Sequence, residues 1–261
     1  MSEVIRPKDL IHLHHHSMRR TFAGSELPQT LEAAYDLAAG TVGLLGTRVA
    51  GWKLGATTAN TRRIFATEEI YFGALLAEEV WTSTESGPLP SPPVLRGEAE
   101  IAFQLATDIS PEESEAVLGS PAAEIFDAWA PAIEAPYSCV DNIIELGLRA
   151  LLMDRCSAGA LYLGVPRTDI DDPSIDGLLE IFADGVSVAQ GSAKASLLMP
   201  PDEAALGFLK LAAAHGVYVR RGQWISTGGI SPCVTLPFRT PIRLVLGGQS
   251  EFEIQVQGPI E

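Results

Sequence analysis

Two glutamates one residue apart, Glu98 and Glu100 in RGEAEIAF at 96–103, are the residues of this chain best spaced to hold a hard cation. Side chains alternate faces along a strand, so the two carboxylates would project the same way, about 6.6 Å apart. Left together they raise at least one pKa through repulsion and desolvation, whereas a divalent cation lets both stay ionised. All-oxygen ligands select Mg²⁺ or Mn²⁺ over zinc. The same spacing also describes the solvated face of an edge strand, and spacing alone favours that plainer reading. Glu134, in APAIEAPY at 130–137, is either a loop carboxylate in water or a buried one that needs a partner. Lys53, in GWKLG at 51–55, is a snorkelling surface lysine or a buried amine of lowered pKa, and composition favours the surface.

Other reactive side chains lack a chemical pattern. His12, His14, His15 and His16 are nearly consecutive and match no ligand spacing, so they read as a non-catalytic N-terminal segment, helix or mobile arm. Cys139, Cys156 and Cys233 form neither a CxxC nor a Cys/His finger, which points to buried packing in a reducing compartment.

The elements that must position these groups can be read from pattern. Thr30 caps a helix through about Leu45, and residues 46–55 form a short strand carrying Lys53. The proline-rich stretch 86–95 is the best boundary, giving a mainly helical part over 1–85 and a mixed β domain over 86–261. Residues 97–105 read as a strand, followed by helix signals on both sides of Gly119-Ser120-Pro121. Pro200-Pro201-Asp202-Glu203 opens a helix ending near His215 and Gly216, and short β-rich segments follow to residue 256. The strands lack regular alternation with helices, so the class is α+β, not a doubly wound sheet.

The chain has 261 residues, 46% of them hydrophobic, enough for a large core without disulfides. A formal net charge of −15 disfavours nucleic acid and anionic lipid as partners. No apolar run spans a bilayer and no leader pattern opens the chain, so a cytoplasmic location is expected.

In order and spacing, the segments AAYDLA (33–38), GWKLG (51–55), YFGALL (71–76), RGEAEIAF (96–103), PAIE (131–134), DRCSAGALYLG (154–164), QGSA (190–193) and ISTGG (225–229) resemble the 2-keto-4-pentenoate hydratase family. That family is grouped with the 4-oxalocrotonate decarboxylases in the fumarylacetoacetate hydrolase superfamily. The resemblance covers about residues 30 to 257. It implies a mixed, strongly bent β-sheet with surrounding helices and a small N-terminal helical part. It implies Mg²⁺ or Mn²⁺ on Glu98, Glu100 and Glu134, Lys53 near the substrate carboxylate, and Ser157, Ser192 and Thr227 in pocket-lining motifs. Lys53 and Glu98 are then the catalytic candidates. The implied reaction is hydration of a 2-hydroxy-2,4-dienoate to a 4-hydroxy-2-oxo acid. The alternatives are decarboxylation of a 2-oxo acid of the 4-oxalocrotonate type and a non-catalytic partner subunit. A homo-oligomer is implied, with possible association with a partner pathway enzyme. The chain departs from the family pattern at Tyr71, where an acidic residue is common, at Arg155, commonly Asn, and at Pro200, where a common His-Pro is altered.

Overall fold

A computed structural model describes residues 4–84, 87–117 and 119–258. Its elements are α1 (Pro7–His15), α2 (Leu31–Leu45), β1 (Val49–Gly55), α3 (Ala59–Phe65), β2 (Tyr71–Leu76), β3 (Val80–Thr82), β4 (Arg96–Leu105), α4 (Ser114–Val117), α5 (Ala122–Ile125), β5 (Phe126–Ala135), α6 (Ile143–Leu146), α7 (Leu148–Met153), β6 (Ala160–Leu163), β7 (Leu179–Ala183), β8 (Val186–Gly191), α8 (Ala193–Ser196), α9 (Pro201–Ala214), β9 (Trp224–Ser226), β10 (Val234–Thr235), β11 (Ile242–Leu246) and β12 (Gln249–Ile254). The helix expected from Thr30 forms, with the Thr30 hydroxyl accepting from the Ala33 N–H at 3.1 Å, and Gly46 ends it at φ 66°. The helices expected around residue 119 are single turns, because the apolar run from Phe126 is taken up by β5 instead.

The larger sheet runs β2-β1-β9-β4-β5-β6-β3, with β10 on β4. It is mixed: β1 pairs with β9, and β3 with β6, in parallel. A second, antiparallel sheet runs β12-β11-β7-β8. The architecture is α+β, a mixed curled sheet with surrounding helices. Residues 85 and 86, at the division expected from sequence, lie outside the described residues. Strands from both sides of that division share the larger sheet.

The two ten-residue strands β4 and β5 form its spine. Ala99, Ile101, Phe103 and Leu105 are wholly buried in the main core, with Phe126, Trp129 and Phe208. The opposite face of β4 carries Glu98 and Glu100, so the residues that bury the sheet also hold two carboxylates at fixed positions. Among the described residues no helix is long and apolar enough to cross a membrane, and the three cysteines are free.

Candidate active site

Antiparallel pairing puts Glu98 directly opposite Glu134, with Glu100 opposite Ala132. Like charges facing across a ladder are unfavourable. Even so, one carboxylate oxygen from each of Glu98, Glu100 and Glu134 lies within 4.8 Å of the others. Glu100 and Glu134 are fully buried and Glu98 is half-buried. Glu134 therefore sits inside a strand and not in a solvated loop. Lys53 is buried too, against the surface position composition favoured, because β1 is interior to the sheet between β2 and β9. Its Nζ donates to Glu134 Oε1 at 2.8 Å.

The second oxygens of the site differ in their partners. Glu100 Oε2 accepts from the Ser226 hydroxyl and from the Gly228 N–H at 2.9 Å. Glu100 Oε1 and Glu134 Oε2 are buried with no hydrogen-bond partner. Orphaned anionic oxygens of this kind are costly unless something positive meets them, and three carboxylates without nitrogen or sulfur fit a hard divalent cation. Glu98, Glu100 and Glu134 are the residues that could hold one. A second cluster, His14, Cys139 and Asp154, offers mixed ligands, but its carboxylate is already satisfied. Asp154 accepts from Ser138 at 2.5 Å and from the Cys139 N–H at 2.8 Å, and it pairs with His14 Nε2 at 2.5 Å.

Burial raises the carboxyl pKa values of all three glutamates. For Glu100 the charges of Glu98 and Glu134 add to that effect, and for Glu98 Lys53 and Arg96 oppose it. Burial pushes Glu134 up to about 7, with Lys53 opposing and Glu98 adding. For Lys53 burial works against the charge, but Glu134 first, then Glu98, hold the ammonium above its ordinary range. Cation-free folded protein therefore binds more protons at these glutamates than the unfolded chain does. For Glu134 the stabilising contribution is full below the ordinary value of 4.5 and is lost as pH rises through about 7, and for Glu98 and Glu100 it is lost in the same direction. In EDTA, the difference in Tm between this protein and its Glu100→Gln variant is expected to shift in the variant's favour from pH 4.5 to pH 7.5, and saturating Mg²⁺ to reverse that trend. Calorimetric scans across the range measure it; a difference independent of pH would contradict the linkage.

Lys53 and Glu98 face a cleft of ≈ 720 Å³ whose walls also include Tyr71, Ser157, Gly229 and Ser231. Glycine is needed at two places beside it. A Cβ on Gly55 would collide with the Tyr71 ring, and one on Gly229 with the Glu98 carboxylate. The Gly229 clash involves only the end of a flexible side chain, so Gly229→Ala is expected to fold with Tm within a few degrees of the parent and to lose about tenfold or more in Mn²⁺ affinity through a displaced Glu98. Mn²⁺ titration followed by electron paramagnetic resonance checks this. Gly73 is different, since its Cβ would strike the Arg155 backbone carbonyl.

Ser157 lines the cleft. Thr227 and Ser192 do not: the Thr227 hydroxyl donates to the Ile101 carbonyl at 2.8 Å, and Ser192 is the N-cap residue of α8. One residue before Thr227, Ser226 reaches Glu100. The chain around Ser157 is unusual, because Arg155, Cys156 and Ser157 have φ of 50°, 56° and 59° and make a left-handed turn without glycine. Such residues cost about 1–3 kcal/mol each and persist only where their surroundings hold them. Here Asp154 is anchored by His14 of α1, and the Arg155 guanidinium forks onto Glu79 with both contacts at 2.8 Å and reaches the Ala74 carbonyl at 3.0 Å. Arg155 thus points away from the cleft. Ser226, Arg96, Tyr71 and the backbone of Gly228 are site groups that motif spacing did not single out as ligands or donors. Only the ISTGG segment itself signalled the first and last.

No family model matches the chain. It is 26% identical over 217 residues to a protein described as "TodF product hydratase" from Pseudomonas putida, covering 82% of this chain and 74% of that one. It is 28% identical over 220 residues to a 2-keto-4-pentenoate hydratase from Paraburkholderia xenovorans, covering 80% and 78%. The chain is similar in sequence to 2-keto-4-pentenoate hydratases. In structure it superposes on 4-oxalocrotonate decarboxylase from Pseudomonas putida G7 with a TM-score of 0.77 at 17% identity, covering 95% of each chain. That enzyme was solved with calcium and acetate, and with magnesium and adipate. The fold, a mixed curled sheet with surrounding helices, is the one the resemblance implied. Tyr71 stands in the cleft wall, its phenol kept well above its ordinary pKa by burial first and then by Cys156 and Glu98. It is a neutral side chain in that wall.

Proposed function

We propose that this protein is a divalent-cation-dependent hydratase that adds water to a 2-hydroxy-2,4-dienoate to give a 4-hydroxy-2-oxo acid. The observation that carries the reading is the meeting of Glu98, Glu100 and Glu134 at one point beside the Lys53 ammonium, with two carboxylate oxygens left unpaired. Glu98, Glu100 and Glu134 would hold Mg²⁺ or Mn²⁺, and a bound cation supplies Lewis-acid polarisation at the C2 oxygen.

The chain's own residues do the rest. Lys53 compensates the substrate carboxylate and fixes its orientation, which turns the addition into a reaction within one complex. Ketonisation moves the enol proton from the C2 oxygen to C5 and leaves a 2-oxo-3-enoate. Water oxygen then bonds to C4 while a water proton goes to C3, a net gain of one water. Glu98 is the half-buried carboxylate facing the cleft, and it accepts and returns that proton. The neutral Tyr71 phenol donates rather than accepts, a role the acidic residue common at that position would not take when ionised. Ser157 lines the same wall. The cleft is closed by neither Arg155 nor Tyr71, which favours catalysis over a partner subunit that keeps only the fold.

Purified protein is expected to consume 2-hydroxypenta-2,4-dienoate in a Mg²⁺- or Mn²⁺-dependent way, seen as loss of dienol absorbance without carbon dioxide release. Carbon dioxide from 4-oxalocrotonate with no hydration would replace this reading by the decarboxylase. Glu98→Ala should lose both turnover and cation dependence, and retention of both would reject the site.

A further inference from the structure

The cleft beside Lys53 and Glu98 has a second character at its other elements. The short helices α3, α6 and α7 contribute Ile64, Phe65, Ile143, Ile144 and Leu151 to its wall. Ile144 is 61% exposed and Ile64 38% exposed, so large aliphatic side chains from two separate helices face the same solvent-filled space. The basic residues on these helices are turned elsewhere. Arg62 donates to the Ala56 carbonyl at 2.9 Å, Arg63 to Asn60 Oδ1 at 2.7 Å, and Arg149 to the Pro28 carbonyl at 2.9 Å. None of the three lines the cleft. The basic residues that do are Lys53 and Arg96. Arg96 lies two residues before Glu98 on β4, hence on the carboxylate side of the cleft, and its Nη2 donates to the Cys233 carbonyl at 3.3 Å.

We propose that this apolar wall selects the distal end of the substrate: a 2-oxo or 2-hydroxydienoic acid carrying an alkyl or aryl substituent at the end remote from its carboxylate, in preference to one ending in a second carboxylate. The assignment of ends rests on the reading of Lys53 and the glutamates above. The volume is also in keeping, since ≈ 720 Å³ lies within the range of about 300–1,000 Å³ of pockets that enclose drug-sized ligands, well beyond a five-carbon acid. Each methylene buried against such a wall favours binding about fourfold, whereas a carboxylate placed there loses hydration and meets no cation.

Saturated 2-oxo acids test this without turnover. Calorimetric titration of the Mg²⁺-loaded protein with 2-oxopentanoate, 2-oxooctanoate and 2-oxoadipate is expected to give affinity rising by roughly fourfold per methylene from the first to the second, and no gain for 2-oxoadipate over 2-oxopentanoate. Ile64→Ser/Ile144→Ser, at exposed positions that leave the core intact, should flatten the chain-length dependence. Ile144→Arg should raise the affinity ratio of 2-oxoadipate to 2-oxooctanoate by up to about fivefold, the scale of an exposed ion pair. Equal affinity for 2-oxopentanoate and 2-oxooctanoate, tighter binding of 2-oxoadipate, or no binding of any of the three overturns the proposal. Hydration of 2-hydroxypenta-2,4-dienoate is assayed separately, so a hydratase without chain-length preference and a chain-length-selective binder without hydratase activity are told apart.

Discussion

Glu100→Gln is expected to abolish turnover and to weaken Mn²⁺ binding by more than about a hundredfold, while making the cation-free protein more stable at pH 7.5 by about 1–3 kcal/mol. The two effects share one cause. Glu100 is fully buried and faces Glu98 and Glu134, so its charge is unfavourable until a cation arrives. Glutamine keeps the side-chain oxygen that accepts from Ser226 and from the Gly228 N–H. Its amide then offers hydrogens toward Glu98 and Glu134, where Glu100 presented a further negative charge. Calorimetry in EDTA and a Mn²⁺ titration read the two sides separately. Unchanged Mn²⁺ affinity, or a Tm in EDTA below that of the parent, would remove Glu100 from the ligand set.

Lys53→Met should behave in the opposite sense. It removes the ion-pair partner of Glu134, whose carboxylate is wholly buried. Breaking a buried pair on one side costs about 3–5 kcal/mol because a charge is left behind. Activity should fall by about 10²–10⁴, the usual worth of a positioned proton-transfer or charge-compensating group. The double variant Lys53→Met/Glu134→Gln is expected to regain most of the stability and none of the activity. Chemical denaturation with kcat/KM for the four forms completes the cycle. A single Lys53→Met as stable as the parent would mean that Glu134 is neutral in the folded protein and that the pair is not ionic.

How far these residues were legible in the sequence depended on register. Glu98 and Glu100 share a face because a strand alternates, and β4 was readable from its own apolar pattern. Glu134 was ambiguous because Pro131 and Pro136 argue against a central strand. Yet Pro131 lies inside β5, opposite Ile101, and its carbonyl accepts from the Gly164 N–H at 2.8 Å. Lys53 looked superficial because GWKLG does not reveal that its strand has neighbours on both sides. The choice between Ser226 and Thr227 is one of parity. Ser226 pairs with Ala102 of β4, which turns its hydroxyl to Glu100 and leaves Thr227 to the backbone, and a shift by one residue would exchange them. The left-handed turn at Arg155–Ser157 carries no glycine to announce it. The domain division at 85/86 drew on a proline-rich run that breaks regular structure locally without separating the strands on either side.

That turn bears on the order in which the molecule can assemble. The pair between His14 and Asp154 joins residues 140 positions apart, so it forms only after a very long loop has closed, a slow class of contact. Until α1 docks, the segment that carries Ser157 lacks the partner that anchors Asp154 from the far end of the chain. Glu98 and Glu134 meet across the neighbouring strands β4 and β5, so a refolding chain can bring its three glutamates together before α1 docks and before it owns a finished pocket.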